Sequence, residues 1–312
     1  MQALLSKSNV IVYIGGGTLL AKRFMMKFRL GPYLWSCLVM VAALALSLFV
    51  ASLNKPSLVS GEIPYQSTSL WLILTYFFVA VVVIAVVLFI IPLSKLKLVF
   101  RVIFAVMFAW GIFIVTFFKL PTAAAYSLAA VAGIAWLFWA RIWLHDLLLL
   151  IALAAAGSIF GYLFSPLTFM IFMLVISVYD VLAVRFGFMV WMADKLSESA
   201  SLPAFIFPKN PGDLALNLKA VQFNELRKEE SAKREHTILG GGDIGFPLML
   251  AVSVYYAYGL ANAILVGAFA TLGLMGAFLI QKIWLKGKPM PALPPIAALS
   301  LIGYLIVFFF LK

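Results

Sequence analysis

Charge is scarce in this chain. Of its 312 residues only 11% are Asp, Glu, Lys or Arg, against roughly 25% in an ordinary soluble domain. Hydrophobic residues make up 65% of it, with a mean hydropathy of +1.12. That balance excludes a soluble globular enzyme and indicates a polytopic membrane protein. Cysteine and histidine are scarcer still. Cys37 is the sole cysteine, so no intramolecular disulfide can form, and His145 and His236 are the only histidines. No soft or imidazole ligand set remains for a transition-metal centre, and neither metal nor cofactor is expected. The net charge of +12 is better explained by basic residues held on one side of a membrane than by a nucleic-acid partner. No cleavable signal peptide is expected either. The basic cluster Lys22, Arg23, Lys27, Arg29 leads into a span of full membrane length, so the first span is expected to remain as an anchor.

What the chain does have is long apolar runs. A helix needs about 20 apolar residues to cross the hydrocarbon core. Windows of that kind fall near 32–53, 70–94, 99–118, 121–140, 146–164, 166–184, 240–258, 260–281 and 291–311. The expected fold is an all-α polytopic membrane protein of nine transmembrane helices. Several windows are separated by only a few residues, marked by Pro121, Pro166 or Gly259, so neighbouring helices should be antiparallel hairpins. The expected organisation is a cytoplasmic N-terminal segment 1–31, helices one to six over 32–184, a cytoplasmic segment 185–239, and helices seven to nine over 240–312.

Charge sets the direction of threading. With nine spans, all but three of the 23 Lys and Arg residues fall on the side shared by the N-terminus and the even-numbered turns; the exceptions are Lys55, Lys119 and Lys312. By the positive-inside rule the N-terminus is cytoplasmic and the C-terminus outside. The segment between spans six and seven contains NLKAVQFNELRKEESAKREH, whose mixed charge suits a surface helix or disorder, and no chemistry is assigned to it.

Inside the spans, acids are rare. Arg101 and Asp146 stand at span ends, where they can reach the interface, which leaves Asp180 and Asp243 within apolar sequence. An ionisable group placed there is costly and is a functional hypothesis by default. Asp180 lies five residues before Arg185 and Asp243 seven after His236. At about 1.5 Å rise per residue both are roughly 7–11 Å from the same membrane edge. Spans six and seven run oppositely, so the two acids can face each other. Two carboxylates in one low-dielectric site tend to share a single proton, which suits peptide hydrolysis: one member takes a proton from water, the other hydrogen-bonds the carbonyl oxygen. On the acids alone, a buried structural pair or the proton relay of a transporter is the stronger reading.

Two further features bear on that choice. Gly240, Gly241 and Gly242 directly precede Asp243 and permit close backbone approach. Pro289, Pro291, Pro294 and Pro295 withhold four backbone donors just before the last span, so regular helix cannot form there. Such irregular backbone is tolerated at membrane depth only inside protein or beside a water-filled cavity.

Tyr179-Asp180 in span six, Gly240-Gly241-Gly242-Asp243 as Gly-x-Gly-Asp in span seven, and Pro291-Ala292-Leu293 before span nine resemble the three signatures of the presenilin and signal peptide peptidase family. Order, host span and nine-span topology agree over nearly the whole chain. The resemblance implies an intramembrane aspartyl protease that cuts transmembrane helices, with Asp180 and Asp243 as the catalytic dyad. It implies that Tyr179, the three glycines and Pro291, Ala292 and Leu293 shape the site and receive substrate. Presenilins have a cytoplasmic N-terminus and signal peptide peptidases are inverted, so the charge bias places this chain with the presenilin orientation. Its brevity resembles a microbial, archaeal homologue acting without presenilin's partner subunits. The partners so implied are transmembrane-helix substrates and the bilayer, with a homo-oligomer left open. One departure is that the variable position of the glycine motif is itself Gly241.

Two other readings are set aside. NVIVYIGGGTLLAKR resembles a dinucleotide-binding strand and turn, but no βαβ unit follows, and an interfacial amphipathic helix suits it better. The rival function is a secondary transporter or channel using the two acids for protons or cations. Transporters of that type repeat an interrupted helix in both halves, whereas here both acids and the prolines fall in the last four spans.

Overall fold

The computed structural model describes residues 31–60, 65, 68–91, 93–188, 191–192, 202–208, 210–218, 236–285 and 290–311. The amphipathic helix expected over residues 9–23 lies outside them, as does most of the mixed-charge stretch after Asn217. Among the described residues the elements are α1 (Gly31–Ser60), α2 (Leu70–Ile90), α3 (Leu93–Phe117), α4 (Thr122–Phe138), α5 (Ile142–Leu163), α6 (Pro166–Arg185), β1 (Ala204–Pro208), β2 (His236–Gly240), α7 (Gly241–Tyr258), α8 (Leu260–Ile283) and α9 (Leu293–Ile306), the last extended by a π turn over Val307–Leu311. Each helix overlaps one of the nine apolar windows.

Among the described residues, seven helices are long and apolar enough to cross a membrane. The other two are α4, apolar but only 17 residues long, and α7, where Asp243, Pro247 and three tyrosines dilute the apolar run. Helix ends follow local chemistry. Ser165 caps α6 by accepting the Thr168 N–H at 3.1 Å, with Pro166 in the first turn, where a missing N–H costs nothing. Gly259, at φ 91°, stops α7 and starts α8 through a backbone conformation that a side chain would strain.

The bundle is built around α5 and α7. These two pack on each other, while α1 and α3 also lie on α5, α9 packs on α8 and α6, and α2 rests on α6. In lipid the hydrophobic effect does not draw helices together, so close packing of small residues must do so. At Gly161 of α5 an added Cβ would stand 2.7 Å from Val252 and 2.9 Å from the Ser253 backbone nitrogen of α7. Ser253 also donates its hydroxyl to the Phe164 carbonyl at 2.5 Å. α2 is apolar around its whole circumference and buries only Leu88, as befits a helix facing lipid.

The described residues between α6 and α7 include regular structure. β1 and β2 pair antiparallel, with Ala204 opposite Gly240, Ile206 opposite Ile238 and Pro208 opposite His236. All five residues of β1 are buried. Beyond them, the Ile142 N–H donates to Leu216 O at 3.1 Å and the Leu218 N–H to Ala140 O at 2.9 Å. The α4–α5 turn and the 6–7 segment therefore lie together on one side of the bundle, as alternate threading of the spans requires.

Candidate active site

Asp243 is the third residue of α7 and sits in its first turn. It reaches back to accept the N–H of Gly240, the helix N-cap. This is the geometry of a capping box, in which an acid at the third position satisfies an N–H that the helix leaves orphaned. The glycines make room for it. A Cβ on Gly240 would stand 3.1 Å from Asp243 Oδ2, and one on Gly241 would stand 3.0 Å from the Pro203 carbonyl oxygen. That carbonyl accepts the Gly241 N–H at 2.8 Å, so the chain entering β1 is bonded to the start of α7. Gly242 is exposed and its missing Cβ faces only the Phe246 ring.

Asp180 lies one turn before the end of α6 and is 4% exposed. Its Oδ2 accepts the Leu293 N–H at 3.3 Å. Leu293 opens α9, and Pro294 and Pro295 follow it directly. A helix start leaves four N–H groups without intrahelical partners; here the prolines delete two of them and Asp180 takes a third. The prolines thus serve a helix start and an irregular approach together. A Cβ on Gly273 of α8 would stand 2.6 Å from Ile296 Cα and 2.9 Å from the Pro295 carbonyl, so bare backbone on α8 lets this start settle against it.

Asp180 lies within electrostatic reach of Asp243. The positive ends of two helix dipoles, α7 at Asp243 and α9 at Asp180, converge on the pair. Asp180 Oδ1 is buried with no hydrogen-bond partner. Each carboxylate is thus held by one main-chain N–H, and Asp180 keeps an oxygen in hand for a shared proton or a water molecule. Such an arrangement can activate water and polarise a carbonyl without any metal ligand.

Of the residues singled out in the sequence, Gly242 and Tyr179 stand apart from these bonds. Gly240, Gly241 and Asp243 are joined by bonds and close approaches, Asp180 and Leu293 by another bond, and Asp180 lies within electrostatic reach of Asp243. Pro291 and Ala292, just before Leu293, are half-buried. Tyr179 turns to packing: its ring meets Phe77 at 5.9 Å and Phe78 at 6.1 Å, both edge to face, tying α6 to α2. Two polar residues assigned to the interface instead turn inward. Arg101 donates to the Leu137 carbonyl, and Asp146 accepts the Ile206 N–H at 3.1 Å.

A family model for signal-peptide peptidase and presenilin aspartyl protease matches residues 35–312. Among curated proteins none matches the sequence. A solved structure of a presenilin family intramembrane aspartate protease in a C222 crystal form aligns with TM-score 0.58 and 17% identity, over 86% of this chain and 97% of that one. A second, in a P2 form, gives TM-score 0.60 at 17% identity over 88% and 97%. At that identity the structures speak for the fold.

Proposed function

Since the chain belongs to the signal-peptide peptidase and presenilin aspartyl protease family, we propose that it hydrolyses peptide bonds inside membrane-spanning helices with Asp180 and Asp243 as its catalytic pair. The observation that carries this reading is the bond from the Leu293 N–H to Asp180 in the electrostatic field of Asp243. It ties the start of α9 to α6, and Asp180 lies within electrostatic reach of Asp243 on α7.

With one proton shared between them, the ionised carboxylate takes a proton from water as its oxygen attacks the substrate carbonyl. The protonated partner gives its proton to the carbonyl oxygen, forming a gem-diol. Collapse returns one proton to the pair and places another on the leaving nitrogen as the C–N bond breaks, yielding an acid and an amine. The anchoring N–H groups of Gly240 and Leu293 fix both carboxylates before substrate arrives.

A substrate helix hides its carbonyls in i to i−4 bonds and must open locally. The Leu293 N–H is committed to Asp180 and Pro291 has none, which leaves β2 as the longer run of main-chain groups for pairing. Ile206 turns its N–H toward Asp146, away from β2; by alternation Ile238 turns its own backbone groups away from β1. That outer edge has no strand partner among the described residues. It runs through Gly240 straight to Asp243, which suits the addition of an extended segment. The charge distribution supports a cytoplasmic N-terminus and 6–7 segment with the C-terminus outside. The same reading divides the chain at 31, 184 and 239.

The test is cleavage of a single-pass helical substrate by purified protein in detergent, with products mapped by mass spectrometry. Cuts should fall inside the apolar segment and vanish in Asp180→Asn and Asp243→Asn. Cleavage surviving in either well-folded variant would exclude the pair, and ion flux that depends on the two acids would then favour transport.

A further inference from the structure

β1 raises a problem that the catalytic pair does not solve. A strand has two edges of hydrogen-bonding groups, and one edge of β1 faces β2. The other lies inside the bundle, where an unpaired N–H or C=O is costly. Two adjacent side chains of α5 meet it. His145 Nε2 stands 3.2 Å from the Ala204 carbonyl oxygen, and since a carbonyl only accepts, the ring nitrogen donates. Asp146 takes the Ile206 N–H on both oxygens, at 3.1 and 3.4 Å. Ala204 and Ile206 are two apart, so these groups share one edge. The opening turn of α5 thus completes the sheet as a third strand would.

The clamp is built to hold one position. His145 is fully buried, its ring 5.5 Å from Phe108, 6.1 Å from Trp136 and 6.3 Å from Phe104. A slip of β1 by one residue would turn the Ile206 N–H to the opposite edge. A slip of two in one direction would bring Pro208, which has no N–H, against Asp146. A slip of two in the other would bring the Ala204 N–H, already given to Leu202 O at 2.8 Å.

We propose that His145 and Asp146 are positioning residues that lock the register of β1 on β2 and, through it, the placement of Asp243. The linkage is short. Pro203 O holds the Gly241 N–H at 2.8 Å, Ala204 pairs with Gly240, and Gly240 in turn gives its N–H to Asp243. α5 packs against α7 lower down at Gly161 and Val252, so one helix references both strand and acid. The proposal rests on the protease reading above, and its test has one arm that needs no activity.

That arm is a cross-link. In a Cys37→Ser background, Ile206→Cys and Ile238→Cys stand directly opposite each other, at a non-hydrogen-bonded pair where a disulfide can close. Oxidation should join them in the parent, in Asp146→Asn, which keeps an acceptor oxygen, and in His145→Gln, which keeps a donor. It should fail in Asp146→Leu and His145→Leu. In cleavage assays the leucine forms should lose about tenfold or more in kcat with little change in KM, since misplacement by a fraction of an ångström acts on the reacting groups, and their cuts should spread to new positions. The asparagine and glutamine forms should keep the parent's cutting pattern. Should a leucine form fail to fold, Asp146→Ser, polar but too short to reach Ile206, is expected to show the same losses. Leucine or serine forms that fold and cross-link like the parent, or that cut with unchanged kcat and positions, would overturn the proposal. A parent that cross-links but cuts nothing would count against the protease reading alone.

Discussion

Replacing the three glycines before Asp243 one at a time by alanine separates the chemistry of the site from its packing. At Gly240 the backbone has φ −57° and ψ 136°, an ordinary region for any residue, so alanine adds no backbone strain. It also leaves the N–H that binds Asp243 in place. What changes is a methyl group 3.1 Å from Asp243 Oδ2, where ordinary contact begins at 3.4 Å. The carboxylate must retreat by about 0.3 Å; if about 1 Å of misplacement costs 10²-fold, the proportional loss in log rate is about fourfold. Gly240→Ala should therefore lower kcat by about 3- to 10-fold, leave KM nearly unchanged and hardly alter the melting temperature. Gly242→Ala meets only the Phe246 ring at 3.2 Å, which can swing aside, and should be close to the parent. Gly241→Ala pushes on the Pro203 carbonyl, a main-chain atom that cannot rotate away, and should cost about 1–3 kcal/mol of stability as well as activity. Single-turnover kinetics and thermal melts of the three purified variants decide the matter. A Gly240→Ala enzyme with the parent's kcat, or one that falls no further than Gly242→Ala, would refute the claim that the glycine exists to seat the carboxylate.

Other consequences are as definite. The rate should be bell-shaped in pH: at low pH both acids are protonated and no base remains, at high pH both are ionised and no acid remains. A rate that only rises with pH in a kcat/KM profile would point to a single base. Gly161→Ala forces α5 from α7 against Val252 and a backbone nitrogen, and should lower stability by about 1–3 kcal/mol in a detergent melt; an unchanged melt would mean that the helices slide freely. Gly273→Ala presses on Ile296 Cα and Pro295 O and should move Leu293 off Asp180, reducing kcat more than it reduces stability. Equal losses in the two would show that the α9 start is not coupled to the acid.

How much of this was legible without coordinates depends on the range over which each signal acts. Asp180 and Asp243 stood out because an acid in an apolar run is conspicuous on its own, and the glycines and prolines beside the site are likewise local marks. The spans were legible for the same reason, each being a self-contained apolar stretch. β1 was not. AFIFP is too short to show a period, and being buried at all five positions it lacks the alternation that marks a half-exposed strand. Its partner HTILG is separated from it by the 27 residues between Pro208 and His236, in a segment whose average composition is polar. Asp146 was misjudged with it, because an acid in the first turn of a span looks like an interfacial anchor until the strand it serves is known. The only sequence hint was the pairing of a donor and an acceptor side by side on α5 with a proline-bounded apolar run elsewhere. The physical lesson concerns where charge and imidazole are affordable in lipid: Asp180, Asp243, His145 and Asp146 each answer a backbone group that the helices themselves cannot satisfy. Asp180 answers the start of α9, Asp243 the start of α7, and His145 with Asp146 the edge of β1. Removing either acid therefore also uncaps a helix, and asparagine, which keeps an oxygen for the same N–H, is the substitution that separates the proposed chemistry from the fold.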